Sequence, residues 1–355
     1  MDFTFSEDQI AFREAMHSFF AKELPLETIR KNWETEAGHA PELQARIAEQ
    51  GLFGLSVPED FGGLGLSDVD WVQMTQELGY SALPDYVVDT AYVAVGLLNA
   101  LPAGHALAAQ LATEWLPRIA EGSARVAVGH PSQKLVADAD TADLLLLAHQ
   151  GELHAVAGSA VKTVLNPSID LSRRLCRVEW TPSTETRVLD AAAAAPLWED
   201  ALNRGALAAA GQIMGQILRM LDISVAYTSE RKQFGKPIGS FQAVKHHLAT
   251  VAVKAEFAKP VLERAAQAMA SGDPARGVHV SHAKLACGDA GWLAARSGIQ
   301  VHGGMGYTWE VDLQIFMKRA WVLDAAWGDR AFHKNRVAAH VLSANAPLGA
   351  GKTFI

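Results

Sequence analysis

The segment Arg231–Gln242, with the sequence RKQFGKPIGSFQ, combines residue types that could bind a phosphate and an aromatic ring. An arginine at a helix end, beside glycine and proline, can present its planar guanidinium group to a phosphate. Phe234 adds an apolar face for a ring. The same residues would also make an ordinary turn between two helices with one exposed cation, so the composition of this segment leaves both interpretations open.

A second segment, Gln300–Tyr307, reads QVHGGMGY and places three glycines within four residues. Glycines at this density let backbone N–H groups approach an anion or a ribose closely. A glycine-rich turn that merely ends a helix would look the same. The two segments are about 70 residues apart in one helical region, and together they indicate a nucleotide-type ligand more strongly than either does alone.

Other candidate side chains favour structural roles. Glu310, Asp324 and Asp329 could each act as a base, but helix capping or simple solvation is the favoured interpretation for each carboxylate. His246 and His247 are adjacent on a predicted helix without a second pair of ligands. The sequence therefore predicts no metal site.

Composition limits the class of protein. The 355 residues are 49% hydrophobic and 20% charged, and 31 basic against 39 acidic residues give a net charge of −8. These values are typical of a globular protein and exclude a disordered, collagen-like or coiled-coil chain. We expect no nucleic-acid or membrane partner, because no basic segment and no long apolar run is present. Two isolated cysteines, Cys176 and Cys287, and the lack of a signal-peptide pattern favour free thiols and a cytoplasmic location.

The elements that must position these residues fall into three zones, which predict a mainly α protein with a small β domain. Residues 1–121 have helical periodicity, with capping boxes at Ser6 and Ser67. Residues 122–195 contain short strands, and residues 191–195, the five consecutive alanines before Pro196, are predicted to be a linker. Residues 196–345 are predicted to form an antiparallel helical bundle, and residues 346–355 are predicted to be a tail.

Within the bundle, one predicted helix carries an apolar stripe and several small residues. The stripe consists of Met214, Leu218, Leu221 and Val225. The small residues, which would allow a neighbouring helix to approach closely, are Gly205, Ala208, Gly211 and Gly215. A final helix is predicted over residues 310–342.

The chain resembles the acyl-CoA dehydrogenases along nearly its whole length. The motifs that carry the resemblance are FSEDQ at residues 5–9, the loop up to Leu66 with PEDFGGLGL, RKQFG at residues 231–235 with Phe241 and Gln242, and QVHGGMG at residues 300–306. The resemblance implies an N-terminal helical domain, a middle β-barrel and a C-terminal four-helix bundle. It also implies FAD as cofactor, with Arg231, Gln233, Phe234, Gln242, Gln300, Gly303 and Gly304 as FAD-binding residues.

The family's reaction defines what the chain would need. A glutamate removes the α-proton of an acyl-CoA thioester while the β-hydrogen leaves as hydride to the flavin, and the electrons pass on to an electron-transfer flavoprotein. Counted without gaps from Gly303, the position of the usual base is Trp327, with Asp329 two residues later. The family's second base position falls at Gly205. The resemblance thus predicts that both usual bases are missing, and Asp329 is the weak substitute.

The middle domain departs from the family as well. The stretch that lines the flavin ring is replaced by Gly129–Lys134, and His130 within it is predicted to be a strand end at the surface. The family's second flavin-contacting strand is reduced to Val161–Asn166. In the family, the arginine and glycine motifs reach across to the adenosine diphosphate part of a neighbouring subunit's FAD. The chain therefore keeps the half-site that it would donate and lacks the half-site for its own flavin.

This selective loss resembles one subunit of the α2β2 acyl-CoA dehydrogenases of bacterial steroid degradation. The leading hypothesis is a degenerate subunit that donates the adenosine diphosphate half-site to a paralogous partner carrying the catalytic glutamate. Two alternatives are a self-sufficient homo-oligomeric flavoenzyme with a displaced base, and a flavin-free scaffold of the same fold.

Overall fold

The computed structural model describes residues 4–346 except 36, 37, 39, 84, 85, 103 and 345. The N-terminal part is helical, and both predicted capping boxes are confirmed: Ser6 and Gln9 cap α1, and Ser67 and Asp70 cap α4. Between α3 and α4, Gly51 at φ +77° begins a loop with two 3₁₀ turns. The helices of this part are α1 (Glu7–Glu23), α2 (Leu26–Trp33), α3 (Pro41–Glu49), α4 (Asp68–Tyr80), α5 (Tyr86–Val88), a π-helical segment (Asp89–Ala94), α6 (Val95–Asn99) and α7 (Ala106–Ala120).

The middle part consists of two small sheets. One has the strand order β1-β3-β4-β7, with β1 and β3 parallel, and the other has the order β2-β6-β5. A compact apolar core lies in this region, built from Ala127, Val136, Ala139, Leu145, Leu147, Val156 and Cys176. The alternate residues of β1 and β3 belong to the core of the helical parts, so the first sheet is buried on both faces. The strands are β1 (Val126–Gly129), β2 (Val136–Ala137), β3 (Leu144–His149), β4 (Glu152–Ala157), β5 (Lys162–Asn166), β6 (Leu175–Glu179) and β7 (Arg187–Leu189).

The C-terminal part is the predicted helical bundle. It contains α8 (Ala191–Glu230), α9 (Gln242–Ala270), α10 (Arg276–His302) and α11 (Leu313–Ala325), with α12 (Arg330–Val341) packed on α10. The hairpin strands β8 (Lys232–Gln233) and β9 (Lys236–Pro237) join α8 to α9. The small residues of α8 do allow close packing, because a Cβ at Gly215 would lie 2.6 Å from the backbone nitrogen of Tyr80 on α4.

Three local predictions were wrong. The segment 191–195 is the start of α8 rather than a linker, because alanine favours helix and Asp190 caps the backbone N–H of Ala193. The apolar stripe does not continue to Val225, which is exposed, because the buried face of α8 passes through Met220, Ser224 and Thr228 instead. The final helix is broken between α11 and α12, where Trp327 and Gly328 have φ values of +55° and +95°.

A buried ion pair joins the C-terminal bundle to the rest of the molecule. The guanidinium of Arg319 on α11 pairs with the carboxylate of Asp170, which follows β5, and both residues are only 1% exposed. Arg319 also donates to the carbonyl of Leu83 at 2.5 Å. One side chain therefore ties α11 to both the middle and the N-terminal parts.

Cys176 and Cys287 are free and buried, and burial raises the pKa of their thiols to about 11 and about 12. None of the helices in the part of the chain described is long and apolar enough to cross a membrane.

Candidate functional site

The arginine-containing segment forms a hairpin at the end of α8. Arg231 is the C-cap of α8, and its backbone N–H donates to the carbonyl of Tyr227. Strands β8 and β9 then pair across a turn whose central residues are Phe234 and Gly235. Both have left-handed backbone, with φ of +53° and +78°. A glycine adopts this conformation freely, whereas for other residues it costs roughly 1–2 kcal/mol.

Phe234 is therefore a strained residue, and it is also the most exposed large apolar side chain among the described residues, at 90%. Its only described ring contact is an edge-to-face contact with Phe241, at 6.0 Å between ring centroids. Strained backbone conformations cluster at sites where a ligand or partner completes the structure. The hairpin thus presents an aromatic face outward without a buried contact of its own to stabilise it.

The surroundings of the hairpin are positively charged. Residues 231–247 contain four Lys or Arg residues and two histidines but no acid, in a chain whose net charge is −8. Arg231 is exposed, and no carboxylate among the described residues pairs with it. Gln233 in β8 and Gln242 at the start of α9 are exposed on the same segment. This arrangement fits an anionic ligand such as a pyrophosphate.

The glycine segment lies at the end of α10. Gln300 is exposed in its last turn, and Gly303 to Tyr307 form a 3₁₀ turn. Gly303 has φ +60° and ψ −137°, a conformation that favours glycine. A Cβ built at Gly303 or Gly304 would meet nothing within 4 Å, so this backbone faces open space and is accessible to a ligand.

One stacked pair of rings brings the two segments together. The ring of Tyr227, one turn before Arg231, stacks on the ring of His302, just before Gly303, with centroids 4.2 Å apart. The hydroxyl of Tyr227 also donates to the carbonyl of His302 at 3.4 Å. The two motifs that the sequence separates therefore lie at the same end of the bundle.

The two positions expected for the base face each other. Gly205 on α8 lies directly under the indole of Trp327: a Cβ at Gly205 would be 2.6 Å from Cε3 of Trp327 and closer still to two other ring atoms. Trp327 is 4% exposed. The indole thus occupies the space above Gly205, and neither position carries a group that could accept a proton.

His130 is part of the same packing, and its prediction as a surface residue was wrong. It is buried, and its ring makes edge-to-face contacts with Trp198 at 5.6 Å and Trp327 at 5.9 Å between centroids. Because a carbonyl can only accept, Nε2 of His130 donates to the carbonyl of Trp198 at 3.0 Å, while Nδ1 accepts from Ser132. Burial lowers the pKa of His130 to about 4. His130, Trp198 and Trp327 are called the aromatic plug below.

The turn that carries Trp327 is held by buried polar groups. The ammonium of Lys284 donates to the carbonyl of Asp324 at 2.8 Å, and Nε2 of His333 donates to the carbonyl of Trp327 at 3.1 Å. Burial lowers the pKa of Lys284 to about 8 and that of His333 to about 4. A Cβ at Gly328 would lie 2.9 Å from Nε2 of His333, so glycine is required beside Trp327.

The candidate substitute bases have other roles. The carboxylate of Asp329 accepts from the backbone N–H of Phe332 at 2.8 Å and caps α12. Asp324 is buried and accepts from the indole N–H of Trp292 at 2.9 Å. Glu310 is exposed. Asp329 and Glu310 thus have the capping and solvated roles that the sequence favours, whereas Asp324 is a buried hydrogen-bond acceptor, which is neither of the two.

A cavity of about 430 Å³ opens beside Asp329, between residues 132–135 of the middle part and residues 325–332. It borders the segment that replaces the flavin-lining stretch, but the aromatic plug fills the adjacent interior. The open hairpin and the glycine turn, with an exposed arginine and accessible backbone, have the chemistry to hold an adenosine diphosphate group. His246 and His247 are both exposed on α9, and the described residues contain no cluster of three metal-ligating side chains.

Sequence reasoning missed several residues of this region. Tyr227 and His302 join the two motifs. Trp198 belongs to the aromatic plug, and Lys284 and His333 hold the turn that carries Trp327. The spacing of Tyr227, one helical turn before Arg231, is the one signal that could have indicated its role. The others act through long-range packing that local patterns do not encode.

Comparisons with known proteins agree with this fold. The family described as "Acyl-CoA dehydrogenase, C-terminal domain" matches residues 196–342, and "Acyl-CoA dehydrogenase, N-terminal domain" matches residues 6–123. Acyl-CoA dehydrogenase IpdE2 of Mycolicibacterium smegmatis is 31% identical over 316 residues, which cover 89% of this chain and 93% of that protein.

Two solved structures share the fold at low identity. The ChsE4–ChsE5 complex of Mycobacterium tuberculosis gives a TM-score of 0.83 at 21% identity, covering 98% of this chain and 100% of the matched chain. A glutaryl-CoA dehydrogenase of Mycobacterium smegmatis in complex with FADH2 gives 0.83 at 16% identity, covering 97% of each chain. The family's cofactor is FAD. With two matching family models and a relative of this length and identity, the chain belongs to the acyl-CoA dehydrogenase family.

Proposed function

We propose that this chain is the non-catalytic subunit of a heteromeric FAD-dependent acyl-CoA dehydrogenase. It donates the half-site for the adenosine diphosphate part of FAD to a paralogous subunit, which carries the catalytic glutamate. The complex is an α2β2 heterotetramer that dehydrogenates an acyl-CoA thioester derived from a steroid and passes the electrons to an electron-transfer flavoprotein. It works in the cytoplasm, where free buried thiols such as Cys176 and Cys287 stay reduced.

The observation that carries this proposal is the conformation of Phe234. A non-glycine residue at φ +53° is strained by roughly 1–2 kcal/mol in an isolated subunit, and its aromatic side chain, 90% exposed, is free to contact a ligand. Contact with a dinucleotide or a partner subunit would compensate for this cost, and the neighbouring Arg231 would pair with the pyrophosphate. FAD itself supplies the hydride acceptor of the reaction.

The base positions support a subunit that leaves proton abstraction to its partner. Gly205 and Trp327 carry no titratable group, and Asp329 is engaged in capping α12. A self-sufficient enzyme would need a carboxylate free to face the substrate. A flavin-free scaffold would have no reason to keep the charged hairpin and the open glycine turn together. The existence of a solved complex between ChsE4 and ChsE5 in this fold adds support for a heteromer.

The proposal is tested by titrating FAD into the deflavinated complex of this chain with its partner. A hydrogen bond to a charged group contributes about 1.5–3 kcal/mol, and about 1.4 kcal/mol is a tenfold change in affinity. Arg231→Ala should therefore weaken FAD binding roughly ten- to a hundredfold. Arg231→Lys should recover part of the loss, because a point charge does not reproduce the bidentate guanidinium.

Arg177, which is exposed on β6, provides the matched control. Arg177→Ala removes an arginine of similar exposure far along the chain from the hairpin and should leave FAD affinity unchanged. Unchanged affinity in Arg231→Ala would mean that the hairpin is only a turn, and the proposed half-site would be wrong.

A further inference from the structure

Gly205 and Trp327 stand at the two positions where the family's bases are expected, so the space between them is where the reacting carbon of an acyl thioester would lie. A base must come within hydrogen-bonding reach of the proton it removes. Two alternative bases that serve one reaction must therefore face the same substrate carbon. In this chain the two positions do face each other, and the indole of Trp327 fills the volume between them.

We propose that the indole of Trp327, one member of the aromatic plug, closes this chain's own acyl-thioester site. Gly205 makes room for the indole because it has no side chain. This inference rests on the proposed function for the placement of the thioester. It goes beyond the proposed function because it attributes the loss of this chain's acyl-thioester site to the packing of Trp327 on Gly205, and not only to a missing carboxylate. The chain is then unable to take an acyl thioester at this place even when a flavin is bound nearby.

The contact leaves no room for a larger residue at position 205. Real Cβ atoms essentially never lie under 3.0 Å from another heavy atom, and a Cβ at Gly205 would be that close to three atoms of the indole ring. Helix α8 has little freedom to move away, because Gly211 and Gly215 hold it tightly against α4. The contact partners of Gly205 are side-chain atoms of Trp327, so shortening that side chain would remove the conflict.

The turn around Trp327 fixes the indole in place. The backbone of Trp327 is left-handed, at φ +55°, and the hydrogen bond from His333 holds its carbonyl. Lys284 holds the carbonyl of Asp324 three residues earlier, and the carboxylate of Asp329 caps α12 two residues later. The indole also makes an edge-to-face contact with the ring of His130. The indole is thus packed against both Gly205 and His130, and hydrogen bonds hold the backbone on either side of it.

A double-mutant cycle on the full-length chain tests the interlock. In the wild-type background, Gly205→Ala should lower the midpoint of thermal unfolding by about 1–4 °C, the size of shift that overpacking causes in a chain of this length. In a Trp327→Gly background, the same change should leave the midpoint unchanged or raise it, because alanine favours helix. If Trp327→Gly does not fold, Trp327→Leu serves the same purpose, since leucine lacks the indole ring.

Gly215→Ala is the matched control on the same helix. Its Cβ would lie 2.6 Å from the backbone nitrogen of Tyr80, far from Trp327 in the packing. Its cost should be the same in both backgrounds, because sites without shared partners are additive. Equal costs of Gly205→Ala in the two backgrounds would overturn the interlock.

Added indole tests whether the vacated space is a real site. Apolar cavities of this kind bind aromatic molecules, and a ligand that binds only the folded state raises its stability. Indole should therefore raise the unfolding midpoint of Trp327→Gly, leave that of the wild type unchanged, and lose its effect when Gly205→Ala is added. A rescue that persists with alanine at position 205 would overturn the placement of the plug.

Both measurements report the stability of the folded chain and neither reports flavin binding, so the two proposals can fail separately. Loss of coupling between Gly205 and Trp327 would refute the plug while leaving the FAD half-site intact. Unchanged FAD affinity in Arg231→Ala would refute the half-site while leaving the plug intact.

Discussion

Removal of the Arg319 side chain should be among the most destabilising single changes in this chain. Arg319 and Asp170 are each 1% exposed, so Arg319→Met leaves a carboxylate buried without its partner. Breaking such a pair by removing one member costs about 3–5 kcal/mol, because the remaining charge is uncompensated. Arg319→Met also removes the donor to the carbonyl of Leu83, which adds to the cost.

A cycle with Asp170→Asn separates charge from packing. Asparagine keeps an oxygen that can accept from the backbone N–H of Ser172, as Asp170 does at 3.1 Å, but it carries no charge. The double variant should therefore be more stable than Arg319→Met alone. Urea denaturation gives the free energies of unfolding of the wild type, the two single variants and the double variant.

Lys162 and Glu179 supply the exposed control pair, with side chains 76% and 55% exposed. Lys162→Met should cost less than about 1 kcal/mol, as exposed ion pairs usually do. If Arg319→Met were as mild as this control, the buried pair would not hold α11 against the other parts of the molecule, and the reasoning would be refuted.

Two further predictions concern titration and the substitute base. Burial lowers the pKa of His130 and His333 to about 4, so the unfolded chain binds more protons between about pH 4 and 6.5. The free energy of unfolding should fall as pH falls through this window, by up to roughly 3 kcal/mol for each histidine. His130→Phe should flatten this dependence on pH, whereas the exposed control His246→Asn should not. An unchanged slope in His130→Phe would contradict the lowered pKa of His130. Asp329→Asn keeps the cap of α12 and should leave turnover of the complex within a few-fold, whereas a loss of roughly 10²–10⁴-fold with flavin content unchanged would favour a displaced base.

Local signals in the sequence predicted the elements well. The capping boxes at Ser6 and Ser67 mark the starts of α1 and α4, because their hydrogen bonds lie within four residues. Short strand-like runs separated by turn residues predicted that the middle part contains strands, although not every strand was identified. The prediction for residues 191–195 failed because an alanine-rich segment is compatible with either a linker or a helix. The prediction for residues 326–329 failed because the positive φ of Trp327, which ends α11, has no signature in the local sequence.

The candidate site was predictable in its motifs but not in its packing. Arg231, Phe234, Gln300 and Gly303 were selected from sequence and lie at one end of the bundle. The stack of Tyr227 on His302 and the burial of His130 depend on contacts between residues about 70 apart or more in the chain, which no local pattern reveals. The contact between Gly205 and Trp327 is likewise visible only once α8 and the turn after α11 are placed together.

The FAD content of the purified proteins tests the central claim most directly. If the chain donates a half-site and lacks the stretch that would line a flavin ring of its own, the chain expressed alone should be colourless or poorly soluble. Co-expression with the paralogous partner should give about one FAD per heterodimer, measured from flavin absorbance and protein concentration, since each dinucleotide would use one half-site from each chain. A yellow homodimer carrying one flavin per chain would contradict the account.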